Sequence, residues 1–207
     1  PYGRISRRIA EFAPDNVHIV TEGPLGLAAR RYCLQHKLPF TTAYHTRFPE
    51  YVKARTGIPL AISYAWLRRF HNAGRAVMVP TPKVHDDLTE YGFRNLAFWT
   101  RGVDTTLFNP GERAKLEGDR PLFVYVGRVA IEKNIRAFLE LDLPGAKWVV
   151  GEGPQREALM HDYPEVHFAG VIPHAELARI YRAADVFVFP SKTDTFGLVQ
   201  LEAMACG

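Results

Sequence analysis

Asp194 and Glu202, near the C-terminal end of the chain, stand on either side of a Phe-Gly pair. A helix predicted to begin at Leu198 would leave free backbone amides at Phe196, Gly197 and Leu198, and such amides attract an anion together with the helix dipole. Glu202 lies one turn further along the same helix face. A phosphate at the Leu198 amide would leave the Glu202 carboxylate where a ribose diol could donate hydrogen bonds to it. The spacing therefore predicts a nucleotide-binding turn.

A strand before this turn and a helix after it must hold it in place. The apolar run between Asp185 and Pro190 predicts a short buried strand. The stretch 198–205 is rich in helix-forming residues, and Gly207 follows it in the position of a C′ glycine. A strand, a polar loop and the start of a helix form the geometry from which anion sites are built.

The alternation of strands and helices continues along the whole chain and predicts an α/β fold. Strands are expected at 16–20, 39–44, 76–79, 96–99, 122–126, 147–150, 166–168 and 186–189, and helices at 4–12, 24–36, 50–55, 60–73, 82–91, 134–141, 154–161, 175–184 and 198–205. Asn134 is the expected cap of one helix, and Pro154 the expected start of another. Each half of the chain should form a parallel sheet, with all strand ends at one edge.

In the second half, the predicted strand ends carry glycines and positive charge. Gly127 and Arg128 end one strand, the glycine pair of 151–153 ends the next, and Lys133 follows shortly after Arg128. We expect the glycines to let a ligand approach the backbone, and the two bases to attract an anion. The edge of this sheet is therefore the predicted ligand site.

The chain is predicted to form two domains, residues 1–107 and 108–207, because the stretch 108–113 is rich in proline, glycine and charge. Both ends are expected to be incomplete. The chain starts at Pro1 without a methionine, and it stops at Gly207, where a further strand is expected.

Composition limits the classes of function. With 207 residues and 47% apolar content the chain can bury a sizeable core, and its net charge of +4 is spread along it. The densest basic run, Arg4 to Arg8, is interpreted as a solvated helix face, so no nucleic-acid partner is expected. Cys33 and Cys206 are expected to be reduced core residues of a cytoplasmic protein, although a disulfide is not excluded. No stretch is long and apolar enough to span a membrane.

The chain resembles the retaining GT-B glycosyltransferases of group 1 and family 4. The resemblance rests on the Gly127-Arg128 and Lys133-Asn134 pairs, on the carboxylates 194 and 202, and on supporting segments at 102–104 with Phe108, at 151–154, at 181–185 and at 196–207. It implies two Rossmann-like domains that face each other across a cleft. The C-terminal domain would hold a sugar nucleotide, and the N-terminal domain would present the acceptor.

The resemblance also implies roles for the donor-side residues. Gly127, Arg128 and Lys133 would bind the donor diphosphate, and the two bases would stabilise the leaving group as its charge develops. The Leu198 amide would contact a phosphate, and Glu202 the ribose hydroxyls.

Other implied contacts involve the nucleobase, the sugar and the acceptor. The backbone at Val171 and Ile172 would contact the base, and Asp194, with Phe196 and Gly197, would hold the transferred sugar. Relatives usually have glutamate at position 194, so this contact departs from the pattern. His45, at the end of a strand in the first half, resembles a histidine that such enzymes place near the donor sugar and the acceptor.

The expected reaction needs no metal or cofactor, because the two bases supply the positive charge, and the sequence contains no Asp-x-Asp triplet or His/Cys cluster. The donor would be a uridine or guanosine diphosphate sugar. The residues do not choose between these bases, although uridine is expected over guanosine. The acceptor would be a hydroxyl compound. A sugar-nucleotide epimerase on the same fold and a non-catalytic sugar-nucleotide-binding module remain alternatives.

The segment 45–73 resembles bacterial and plastid lipid-glycosylating members of the family, which makes a lipid acceptor and a peripheral membrane location expectations. Aromatic residues alternate with arginines in the helix predicted at 60–73. They could contact a membrane surface. The favoured interpretation is that the helix buries its aromatic residues and keeps Arg68 and Arg69 in solvent.

Overall fold

The computed structural model describes residues 2–207, which form two compact units that meet at Thr100 and Arg101. This division falls before the boundary expected at 107/108. The segment that follows Arg101 belongs to the second unit because Phe108 is buried there, with its ring centroid 5.9 Å from that of Tyr181. Arg182 holds the same segment through a 2.8 Å hydrogen bond from its Nε to the Asn109 carbonyl oxygen.

Unit 1 contains one parallel sheet of four strands in sequence order. The strands are β1 (Val17–Ile19), β2 (Phe40–Ala43), β3 (Val77–Val79) and β4 (Leu96–Phe98), and the helices are α1 (Tyr2–Phe12), α2 (Pro24–Gln35), α3 (Phe48–Thr56), α4 (Leu60–His71) and α5 (Pro82–Glu90). Thr81 caps α5, since its hydroxyl accepts a 3.3 Å hydrogen bond from the Val84 amide.

Two apolar clusters hold the helices of unit 1 on its sheet. Val77 and Val79 of β3 pack with Leu67 of α4 and Leu88 of α5. The second cluster joins β1 and β2 to α2 and α4 and contains Cys33, whose side chain is fully buried. Cys33 and Cys206 are both free and buried, as predicted.

Unit 2 contains a second parallel sheet, of strand order β7-β6-β5-β8. Its strands are β5 (Phe123–Val126), β6 (Lys147–Val150), β7 (His167–Gly170) and β8 (Val186–Phe187), and its helices are α6 (Ile135–Leu139), α7 (Arg156–Asp162), α8 (His174–Ala183) and α9 (Leu198–Cys206), with a 3-10 turn at Ile131–Lys133.

Alternate residues of β5 point to opposite faces of this sheet, and each face is covered. Val124 and Val126 pack with Tyr181 of α8, and Phe123 and Tyr125 pack with α6 and α7. Because helices bury both faces, the strand is apolar throughout instead of alternating with polar residues. The predicted α/β architecture, with one parallel sheet in each half, is confirmed.

The strand predicted at 186–189 is shorter and less buried than expected. β8 covers only Val186–Phe187, and the Val186 side chain is 42% exposed. Within the described residues β8 pairs with β5 alone. An apolar run predicts a strand whose two faces are both covered. β8 lies at the edge of the described sheet, so its side chains are less buried than those of a central strand.

Two helix starts also differ from the predictions. Asn134 does not cap α6 with its side chain, because its backbone is left-handed, with φ 54°; its amide Nδ2 donates to the Pro190 carbonyl oxygen at 3.2 Å. α7 begins at Arg156, and Pro154 lies in the turn before it.

The glycines at 151 and 153 accommodate neighbouring backbone, a packing role that their place at a strand end does not predict. A Cβ atom on Gly151 would lie 2.0 Å from the Gly127 carbonyl oxygen, and one on Gly153 would lie 2.2 Å from that of Val129. The loop after β6 can therefore pack against the loop after β5 only because both residues lack a side chain.

We predict that Gly151→Ala lowers the free energy of unfolding by about 1–3 kcal/mol, since the added methyl group overlaps the Gly127 backbone and φ at Gly151 is +133°. Gly102→Ala is the matched control, because nothing lies within 4 Å of a Cβ built there. Denaturant titration of both variants measures the effect. Equal stability of the two variants would contradict the close contact.

Candidate functional site

The loop after β5 presents an exposed cation. The Tyr125 hydroxyl donates a 2.9 Å hydrogen bond to the Arg128 carbonyl oxygen and so fixes the backbone of the loop. Burial raises the pKa of Tyr125 well above its usual value, which keeps this hydroxyl a donor. The Arg128 side chain is 61% exposed, and its Nη1 lies 3.9 Å from Glu132 Oε1. A guanidinium held only by this long contact can turn towards an anionic ligand.

Lys133 and Asp194, which the sequence assigns to the donor site separately, are paired with each other. Lys133 Nζ donates to Asp194 Oδ1 at 2.5 Å, and both side chains are largely buried. The other carboxylate oxygen, Asp194 Oδ2, is buried, and no described residue donates a hydrogen bond to it. A buried acceptor without a donor is costly to leave unsatisfied. A ligand hydroxyl group could supply the missing hydrogen bond.

Two further hydrogen bonds hold the Asp194 loop against the 3-10 turn. Thr193 Oγ1 donates to the Glu132 carbonyl oxygen at 3.2 Å, and Asn134 Nδ2 donates to that of Pro190 at 3.2 Å. The polar loop 190–194 is thereby fixed to the end of the segment that carries Lys133. Sequence reasoning missed this role of Asn134, since an asparagine before a helix is also typical of a cap.

The helix predicted after the turn begins where expected. α9 starts at Leu198, and Gly197 occupies its N-cap with φ +77° and no side-chain cap. A Cβ atom at Gly197 would lie 3.1 Å from the ring of Phe189, so the turn requires glycine for both its conformation and its contact. Because no side chain caps α9, its first amides, with that of Leu198, are available to an anion.

Glu202 lies on the inner side of α9. It is only 8% exposed, and its Oε2 accepts a 3.0 Å hydrogen bond from the Tyr181 hydroxyl. Burial and the nearby negative charge of Glu202 raise the pKa of Tyr181, so that its hydroxyl remains a donor. Tyr181 orients the carboxylate expected to bind the ribose. The spacing of Tyr181 from Leu177 and Ala178 is typical of a core residue, and no local signal in the sequence predicts this contact.

The other residues predicted to bind the base, the sugar or the acceptor lie in different loops of the two units. Val171 and Ile172 follow β7 at the same edge of the sheet; Val171 is 76% exposed, whereas Ile172 packs on the core. Phe196 lies partly buried beside Gly197. His45 lies in unit 1 directly after β2, partly buried, with its ring centroid 5.8 Å from that of Trp99.

The helix predicted at 60–73 corresponds to α4, and its faces are partly as expected. Tyr64, Leu67 and Phe70 are buried, whereas Arg68 and Arg69 are exposed. Trp66 differs from the prediction, because its side chain is 42% exposed. Its position on the helix face beside Ile62, which is 62% exposed, places it outside the core.

No three His, Cys, Asp or Glu side chains in residues 2–207 group together in a way that could hold a metal ion. None of the helices within that range has the length and apolar character needed to cross a bilayer.

Comparison with protein families gives two matches that together cover most of the chain. The model for Glycosyltransferase Family 4 matches residues 1–107, and the model for Glycosyl transferases group 1 matches residues 120–207. The two matches follow the division into an N-terminal and a C-terminal half.

Curated relatives match nearly the whole chain. Sulfoquinovosyl transferase SQD2 of Arabidopsis thaliana is 33% identical over 99% of this chain and 43% of its own length. Alpha-monoglucosyldiacylglycerol synthase of Streptococcus pneumoniae is 29% identical over 95% of this chain and 51% of its own length. The chain thus spans about half the length of these relatives.

The fold is shared with a solved structure. Sucrose-phosphate synthase of Thermosynechococcus elongatus superposes with a TM-score of 0.82 and 24% identity, over 100% of this chain and 57% of that one. The likeness confirms the GT-B type of fold, in which each half is a Rossmann-like parallel-sheet unit.

We predict that Lys133→Met lowers the free energy of unfolding by about 1–3 kcal/mol, because Asp194 would lose its remaining donor in a largely buried loop. The matched control is Arg136→Met, which breaks the 2.6 Å pair with Asp162 at the surface of the same unit. Because an exposed pair contributes little, its loss should be smaller. Denaturant titration compares the two, and a larger loss in the control would contradict the assignment.

Proposed function

The chain belongs to glycosyltransferase family 4, and on that premise we propose that it carries the donor site of an enzyme that moves a sugar from a nucleoside diphosphate to a hydroxyl acceptor. The observation that carries the proposal is the Lys133–Asp194 pair with the unpartnered Asp194 Oδ2 beside it. The pair combines a cation for the diphosphate with an acceptor for a sugar hydroxyl in one loop cluster.

The chemistry assigned to the two bases follows from the charge of the leaving group. As the glycosidic bond breaks, the nucleoside diphosphate gains negative charge, so cations aimed at it stabilise the transition state more than the ground state. Arg128 is exposed and weakly held, which allows it to contact the phosphates. Lys133 would divide its hydrogen bonds between Asp194 and the diphosphate, because an ammonium group has three donors.

The nucleoside would be held by α9. Its uncapped first amides at Leu198 would contact a phosphate, and Glu202, fixed by Tyr181, would accept hydrogen bonds from the ribose. The backbone at Val171 and Ile172 would contact the base, for which uridine remains the expectation. Asp194 is one methylene shorter than the usual glutamate; its pairing with Lys133 still leaves one oxygen for the sugar.

We propose that the reaction retains the anomeric configuration and requires no metal, with donor ionisation followed by attack of the acceptor hydroxyl on the same face. Arg128 and Lys133 supply the charge stabilisation in this scheme. His45 is assigned to the donor sugar and the acceptor because it follows β2 at the carboxyl edge of its sheet, where open α/β sheets bind ligands.

A lipid acceptor is proposed from the relative named as a monoglucosyldiacylglycerol synthase. A cytoplasmic location with contact at the periphery of the membrane is part of this proposal, since a lipid acceptor would lie at the membrane surface. The exposed Ile62 and Trp66 of α4 are the apolar residues that such a contact would use.

The donor assignment predicts that uridine or guanosine diphosphate binds the chain, and that Arg128→Gln and Glu202→Gln each weaken binding about 10-fold or more, because each removes a charged hydrogen-bond partner. Arg179→Gln, on the exposed side of α8, is the matched control and should bind like the unmodified chain. Titration calorimetry measures the dissociation constants of both nucleotides, and their ratio tells which nucleobase the chain prefers. Equal affinity of all three variants would contradict the site.

In the complete enzyme we expect Arg128→Gln to lower the rate of transfer about 100-fold, since it removes a contact to the developing charge.

The anomeric configuration of the product, read by nuclear magnetic resonance, tests retention. Conversion of the donor in the absence of any acceptor would favour an epimerase instead. Full transfer activity in the presence of a metal chelator is expected, and its loss would contradict metal independence.

A further inference from the structure

Unit 1 contains a cavity of about 490 Å³, here termed the Glu22 cavity, at the carboxyl edge of its sheet. Its walls come from the loop after β1, the first turn of α2, the loop after β2, and the helices α3 and α4. The lining includes Val20, Glu22, Leu27, Thr46, Phe48 and Trp66. Its volume lies in the range typical of small-molecule sites.

The carboxylate in this cavity is held by a fully buried histidine. His71 Nε2 lies 3.1 Å from Glu22 Oε1, and His71 Nδ1 lies 2.8 Å from Thr42 Oγ1. A carboxylate is only an acceptor, so Nε2 must carry the proton that it donates to Glu22. The Thr42 hydroxyl can then donate to Nδ1, and the chain of hydrogen bonds fixes the position of Oε1.

The second oxygen of Glu22 remains for a ligand. The side chain is 22% exposed, and no described residue donates a hydrogen bond to Oε2. Burying a histidine ring and most of a carboxylate costs free energy, which the hydrogen bond between them only partly returns. A binding role gives this pair a reason that packing alone does not.

The walls around Glu22 are apolar and open. Val20, Leu27, Phe48 and Trp66 are between 42% and 57% exposed, and Ile62 lies on the face of α4 next to Trp66. Such a group of large exposed apolar side chains usually marks an interaction site. Hydrocarbon packed against it would remove this surface from water.

We propose that the Glu22 cavity binds an amphiphilic alcohol of the acylglycerol class. A hydroxyl group of the ligand donates to Glu22 Oε2, and its acyl chain lies against Leu27, Phe48 and Trp66. His71 is a positioning residue, since it acts only through Glu22. The assignment rests on the proposed function. It names the class of acceptor, and it names Glu22 as the residue that selects a hydroxyl group at the polar end of the ligand.

The test uses the full chain and a monoacylglycerol with a brominated octanoyl chain, below its critical micelle concentration. Bromine quenches nearby tryptophan, and the chain has three: Trp66, Trp99 and Trp148. We expect saturable quenching that is lost in Trp66→Phe. Quenching that persists unchanged in that variant would overturn the proposal.

The role of Glu22 is tested with Glu22→Gln, which should raise the dissociation constant of the probe about 10-fold, because a charge-assisted hydrogen bond becomes a neutral one. Glu90→Gln, an exposed site on α5, is the matched control and should not change it. Octanoylglycerol should compete with the probe, and glycerol should not. Equal affinity of both variants, or competition by glycerol alone, would contradict the assignment.

His71 can be tested by conservative rescue. His71→Ala should weaken probe binding as Glu22→Gln does, whereas His71→Gln, whose amide can donate to Glu22, should recover most of the affinity. Equal losses in both would make His71 a packing residue only. Nucleoside diphosphate binding is measured on the same samples. If it is absent while quenching persists, the proposed function fails and the cavity assignment survives. If it is present while quenching is absent, the cavity assignment fails and the proposed function survives.

Discussion

Parallel pairing of β5 with β6 on one side and β8 on the other is the constraint on which the proposed donor site depends. It places the ends of these strands at one edge of the sheet. The 3-10 turn with Lys133 and the loop with Asp194 are therefore neighbours although they are far apart in sequence. The contact between Gly151 and the Gly127 backbone sets how closely the adjoining loops approach.

Except for the exposed Arg128, the charged groups of the proposed donor site are largely buried, and each is held by a partner from another element. Glu202 has Tyr181, and Lys133 has Asp194. Removing water from charged groups costs free energy, which such contacts only partly return. The gain is pre-organisation: the carboxylates and the ammonium group already point in defined directions when the ligand arrives, so less conformational freedom is lost on binding.

The sequence predicted the elements well where periodicity alone determines them, as in the strand that ends at Gly127 and the helix that begins at Leu198. It failed where tertiary contacts decide. Asn134 is a residue type typical of a helix cap, but its side chain donates to Pro190, and no local pattern predicts that Gly151 packs against the Gly127 backbone. Tyr181 looked like a core residue because only the fold brings it to Glu202. Local patterns cannot encode contacts between residues far apart in sequence.

The two units differ in the chemistry that they offer at their sheet edges, and the difference matches the two substrates of a transfer reaction. Unit 2 offers the cations Arg128 and Lys133, which suit a leaving group that gains negative charge. Unit 1 offers Glu22 within apolar walls. A carboxylate there would repel a diphosphate and accept a hydrogen bond from an alcohol, so the Glu22 cavity disfavours the charged ligand of unit 2. Selectivity of this kind arises from the sign of the charge, without any movement of the chain.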